Sequence, residues 1–117
     1  MKVLVVDDNP INRLLPVTWL SRAGHQAEEC ASGFEALERL GLGHYDAVLL
    51  DLSMPGLSGT EVCRQLRASP AHAAIRIVAY TAHLQPEMMS GFREAGFDSV
   101  LIKPVTRAVV FKALGIE

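Results

Sequence analysis

Two adjacent carboxylates, Asp7 and Asp8, close the apolar run VLVV at 3–6, and a third, Asp51, directly follows the apolar run AVLL at 47–50. Carboxylates gathered in one small pocket repel each other unless a cation neutralises them. Hard oxygen ligands with places left for water suit Mg2+, which takes one or two carboxylates and completes its shell with water and phosphate oxygens. Two more polar positions stand at the ends of apolar runs: Thr81 after IRIVAY at 75–80, and Lys103, followed by Pro104, after SVLI at 99–102. A hydroxyl and an ammonium at one rim can both bind phosphoryl oxygens, and the ammonium can pair with a carboxylate when no phosphate is there. A glycine-lined nucleotide cradle is excluded, because Asp7 and Asp8 stand where backbone N–H groups would have to meet the phosphate. Singly these residues say little: Asp7 and Asp8 could be a helix cap with a solvated neighbour, and Asp51, Thr81 and Lys103 ordinary surface groups. Their placement at the ends of different strands is what points to metal-assisted phosphoryl chemistry.

The elements that must position them can be read from periodicity. The runs at 2–6, 47–50, 75–80 and 99–102 are largely apolar at successive positions, as expected of parallel strands covered on both faces, whereas QAEEC at 26–30 is more polar and reads as an edge strand. Helical patterns lie between them. Asn9 caps the first helix, Pro10 takes its first position and Gly24 ends it; Ser32 caps the second, which runs through FEALERL to Gly41. Ser58 or Gly59 opens the third, TEVCRQLRA, which stops before Pro70. PEMMSGFREAG follows the fourth strand and TRAVVFKALG the fifth. Alternating strands and helices with right-handed crossovers predict an α/β fold, a doubly wound five-stranded parallel sheet. The order 2-1-3-4-5 puts QAEEC at an edge and opens a ligand site at the carboxyl ends of strands 1 and 3, where Asp7, Asp8 and Asp51 lie.

At 117 residues the chain is sized for one domain, residues 1–117, and its 50% hydrophobic and 21% charged residues suit a soluble globular protein. No apolar run approaches the roughly 18 residues of a membrane span, and no basic-then-apolar leader opens the chain, so the protein is expected in the cytoplasm without direct membrane contact. Eleven basic against thirteen acidic residues give a net charge of -2, with no basic cluster to follow a nucleic acid backbone. Cys30 and Cys63 form no Cys-x-x-Cys and have no histidine at metal-ligand spacing, which predicts buried or partly buried free thiols. His25, His44 and His72 fall in turns and read as solvated surface residues. Gly56 and Gly59 read as turn residues beside Pro55. Pro16 falls inside the first helix, where losing the bond to the Asn12 carbonyl normally costs about 3 kcal/mol and predicts a kink.

Asp7-Asp8, Asp51 followed by LSMPGLSG, Thr81-Ala82 and Lys103-Pro104 together resemble the receiver domain of two-component response regulators over the whole chain, and VLVVDDNPINRLL with AYTAHL is most similar to receivers attached to hybrid sensor histidine kinases. The resemblance implies a flavodoxin-like receiver fold and a phosphorelay role. Asp51 is then the phosphoacceptor, taking the group from a phosphohistidine on a histidine kinase or histidine phosphotransfer domain, in a domain that assists its own phosphorylation and dephosphorylation rather than an enzyme. Asp8, Asp51 and the backbone carbonyl of Ser53 hold Mg2+ directly, and Asp7 reaches it through water. Thr81 and Lys103 bind the phosphoryl oxygens and switch the interaction surface, Ser53 and His83 influence hydrolysis, and the Lys103-Pro104 bond is cis. The family usually carries Tyr or Phe three residues before the strand-5 lysine; this chain has Val100. A Mg2+-dependent phosphatase resembling the haloacid dehalogenase group is the enzymatic alternative. That group, however, places an Asp-x-Asp nucleophile motif after its first strand and inserts a cap, and neither is present. A receiver-like module that no longer takes phosphate is disfavoured by the intact acid, threonine and lysine set.

Overall fold

The computed structural model describes residues 1–52, 54–82 and 89–116. Strands and helices alternate throughout: β1 (Lys2–Val6), α1 (Pro10–Arg22), β2 (Gln26–Cys30), α2 (Gly33–Leu42), β3 (Ala47–Asp51), α3 (Gly59–Ala68), β4 (Arg76–Thr81), α4 (Met89–Ala95), β5 (Ser99–Ile102) and α5 (Arg107–Leu114). The strands form one sheet in the order β2-β1-β3-β4-β5, every pair parallel, as expected. Its register pairs Val6 with Leu50, Asp51 with Tyr80 and Thr81 with Ile102, which brings the carboxyl ends of β1, β3, β4 and β5 to one edge.

Period-two alternation divides the strand side chains between two cores. Leu4, Val6, Val48, Leu50, Ile77 and Ala79 pack on the side of α2, α3 and α4, while Val3, Val5, Leu49, Val78 and Tyr80 pack with Leu20 of α1 and with Val110, Phe111 and Leu114 of α5. Both faces are covered, which is why β1, β3 and β4 show no polar alternation. The more polar β2 lies at the edge, as its composition demands.

Helix ends follow their local chemistry. Asn9, Ser32, Ser58 and Thr106 each accept a first-turn backbone N–H, from Ile11, Glu35, Glu61 and Val109 respectively. Gly24, after α1, and Gly96, after α4, take the positive φ values of 89° and 106° that only glycine adopts without strain. Helix α1 continues through Pro16, which is buried. The N-terminal part of the predicted fourth helix, residues 86–88, lies outside the described residues.

Three expectations need correction, the first being that His72 is half-buried rather than solvated. His25 is half-buried rather than solvated: its ring meets Phe111 edge-on at 6.4 Å, and Nδ1 lies 3.2 Å from the Met1 amine, because the turn after α1 folds back over α5. Gly59 opens α3, as one of its two readings had it, and is not a turn residue as the other had it; a Cβ there would lie 2.4 Å from the Asp51 carbonyl oxygen, so its need is for close approach. Cys30 and Cys63 are buried free thiols. Among the described residues no helix is long and apolar enough to cross a membrane.

Candidate functional site

Each acid reaches the sheet edge by a defined route. The Asp7 N–H extends the ladder beyond β1 by donating to the Cys30 carbonyl at 3.1 Å, and the Arg13 guanidinium of α1 donates to the Asp7 carbonyl at 2.6 Å while pairing with Glu29 at 2.9 Å. Asp51 ends β3 and Thr81 ends β4, both buried. The Lys103 N–H donates to the Thr81 carbonyl at 2.8 Å, so the exit of β5 is tied to that of β4, and the Lys103-Pro104 bond is cis.

Asp7, Asp8 and Asp51 each present a carboxylate oxygen, all within 4.8 Å of one another; Asp7 and Asp51 are buried and Asp8 is exposed. The Lys103 ammonium lies 3.3 Å from Asp7 Oδ2 and 3.5 Å from Asp51 Oδ1. One ammonium offsets one of three carboxylate charges. The remaining charge, the all-oxygen donor set and an exposed third acid fit a hydrated hard cation such as Mg2+.

Asp7 is buried without being destabilised as an anion. Burial alone pushes its carboxyl up, but the Asn9 N–H, the Tyr80 hydroxyl and Lys103 together outweigh that and hold it below the usual carboxylate range. The Asn9 N–H donates to Oδ1 at 2.9 Å and the Tyr80 hydroxyl to Oδ2 at 2.7 Å. The Lys103 ammonium lies 4.7 Å from the Tyr80 ring centroid, in cation–π range. Burial and the hydrogen bond to Asp7 push the Tyr80 phenol far above its ordinary value, so it remains a donor. Beside these groups α1 and the segment after β5 line an open cleft of about 380 Å³, whose lining includes Ile11, Leu15, Trp19, Tyr80 and Lys103.

The sequence pattern that defines the response regulator receiver domain matches residues 3–115. The chain belongs to the response regulator receiver family. The receiver is 36% identical over 114 residues to the sensor histidine kinase RcsC of Escherichia coli (strain K12), a match that covers 97% of this chain and 12% of that protein. It is 39% identical over 112 residues to the transcriptional regulatory protein ResD of Bacillus subtilis, covering 95% of this chain and 45% of ResD. Among solved structures, the receiver domain of the sensor histidine kinase PA1611 from Pseudomonas aeruginosa, which has a magnesium ion coordinated in its active-site cleft, superposes with a TM-score of 0.87 at 30% identity, covering 97% of this chain and 93% of that one. The chain therefore spans only part of the curated relatives it matches, and it is a receiver domain of two-component signalling, a phosphorelay family.

The receiver brings Asp7, Asp8, Asp51 and Lys103 together, with Thr81 at the adjacent strand end, while Ser53 and His83 lie outside the described residues. Sequence reasoning missed Tyr80 and Arg13. Tyr80 sits inside the run IRIVAY, where a tyrosine reads as core; Arg13 is one of several exposed-looking residues of the first helix. The available signal was a hydroxyl-bearing side chain immediately before Thr81.

Proposed function

We propose that residues 1–117 form a single receiver domain that accepts a phosphoryl group on Asp51. The observation that carries this reading is the Lys103 ammonium set between Asp51 and Asp7, with Asp8 exposed at the same edge. Asp51 supplies the nucleophilic oxygen. Its attack on phosphorus breaks the P–N bond of a phosphohistidine, the bonding pair returns to the imidazole nitrogen, and an aspartyl phosphate forms. Positioning and charge neutralisation account for most of such a transfer. Asp8, Asp51 and the Ser53 carbonyl would hold Mg2+, with Asp7 reaching it through water, and the ion would supply charge neutralisation for the carboxylates and phosphoryl oxygens. Lys103 and the Thr81 hydroxyl bind the transferred oxygens. Ser53 and His83 influence the rate at which the aspartyl phosphate hydrolyses.

The donor is a histidine kinase or a histidine phosphotransfer domain. Ile11, Leu14 and Leu15 are 76%, 62% and 56% exposed on the helix that starts beside the acids, an apolar contact for a docking partner. The domain acts in the cytoplasm, without binding nucleic acid or contacting membrane. Incubation with acetyl phosphate and Mg2+ adds one phosphoryl mass to the parent protein and none to Asp51→Asn, read by intact-mass spectrometry. Equal gain by both proteins overturns the assignment.

A further inference from the structure

Tyr80 touches two of the groups just assigned, from different parts of its side chain. Its ring belongs to the core shared with α1 and α5 and is 1% exposed, yet its hydroxyl ends 2.7 Å from Asp7 Oδ2 and its face lies under the Lys103 ammonium. Neither contact is needed to fill a core position that an aliphatic side chain could occupy.

We propose that Tyr80 is a positioning residue of the phosphoacceptor site: its hydroxyl moderates the cation affinity of the acid cluster through Asp7, and its ring holds Lys103 over Asp7 and Asp51. The inference rests on the reading of the preceding subsection. Asp7 is fully buried and cannot share its charge with solvent. Its Oδ1 is taken by the Asn9 N–H, while Oδ2 receives the Tyr80 hydroxyl and the Lys103 ammonium. A phenol donating to an anionic oxygen draws charge from it and leaves less to attract a cation. Without that donor the buried carboxylate keeps more of its charge, and the cations beside it, Lys103 at 3.3 Å and a metal bound with Asp8 and Asp51, are the neighbours able to take it up. The ring acts separately. A lysine ammonium is a compact charge on a flexible stem, and an aromatic face beneath it restricts the positions it samples. Here those positions lie 3.3 Å from Asp7 and 3.5 Å from Asp51, where a phosphoryl group would be met.

Two substitutions separate the roles. Tyr80→Phe keeps the ring and removes the donor, so Mg2+ measured by calorimetry binds about threefold to tenfold more tightly than to the parent. At saturating Mg2+ its affinity for beryllofluoride, a phosphoryl mimic, stays within about twofold of the parent. Tyr80→Leu also removes the ring, and beryllofluoride affinity at saturating Mg2+ falls about tenfold. A purely structural role for Tyr80 would lower stability without this split between metal and phosphoryl mimic. Mg2+ binding to Tyr80→Phe that is unchanged or weaker overturns the proposal, and this arm stands even where the leucine variant does not fold. A parent protein that binds Mg2+ but gains no phosphoryl mass from acetyl phosphate defeats the functional reading instead, so the two failures are distinguishable.

Discussion

Cys30 and Cys63 both lie in the core beneath α2 and α3, and burial pushes each thiol up to about 11 from its usual 9.0. The Cys63 thiol also donates to the Ala95 carbonyl at 3.2 Å, a bond that a thiolate cannot make. The fold thus favours the protonated form, and the unfolded chain loses its proton first as pH rises. The sign follows from linkage: the contribution is complete below the unfolded value near 9 and is lost between about pH 9 and 11, roughly 3 kcal/mol for each thiol. Urea midpoints of the parent should fall across that window. Cys63→Ala should show a shallower fall; an identical slope in both proteins would remove the thiol from the account.

Among the elements, α3 is anchored at both ends by contacts its own sequence does not announce. At its start Gly59 lets the helix close onto the Asp51 carbonyl. In its last turn Arg67 ties two incoming connections together. Its Nε donates to the Gly96 carbonyl at 2.8 Å, Nη1 to those of Ala73 at 3.0 Å and Ile75 at 2.6 Å, and Nη2 pairs with Asp98 at 2.9 Å. Asp98 in turn accepts the Ile77 N–H at 2.8 Å, so one guanidinium and one carboxylate pin the entrances of β4 and β5. Arg67→Ala leaves three carbonyls without that donor and should cost about 2 to 4 kcal/mol in chemical denaturation. Arg67→Lys should recover little, since a single ammonium cannot span the fork. Full recovery by lysine would show that charge alone matters.

For the whole molecule the question is how far a change at Asp51 travels. On the proposed function, phosphorylation of Asp51 would add negative charge and strong acceptor oxygens, which Thr81 and Lys103 would follow. A shift of the face formed by α4, β5 and α5 from about 1:99 to 99:1 would need about 5.5 kcal/mol of differential interaction. Val100, half-buried against the core beneath α2 and α3, has no ring to turn inward behind Thr81. Its entry side is also held by the Arg67–Asp98 pair. With beryllofluoride and Mg2+, amide NMR shifts should be largest at the ends of β3 and β4 and small around Val100 and α5. Changes at Val100 and α5 as large as those at Thr81 would show that the absent ring does not limit the response.

The sequence by itself determined what depends on neighbours along the chain. Unbroken apolar runs marked strands buried on both faces, Asn9, Ser32 and Ser58 marked helix starts, and strand-end positions marked Asp7, Asp8, Asp51, Thr81 and Lys103 as one set. Parallel crossovers of one hand leave few sheet orders, so the meeting place of those residues was legible too. Tertiary structure alone decided the contacts between distant segments. Tyr80 meets Asp7 across 73 positions, because β3 lies between their strands and the tyrosine falls on the α1 side of the sheet. In a run that is apolar on both faces, nothing local tells which core a side chain enters. Gly59 looked like part of a turn for the same reason: its requirement is set by the Asp51 carbonyl, whose approach depends on how α3 packs and not on the local backbone. His25 likewise became half-buried only because α5 folds beside the turn after α1.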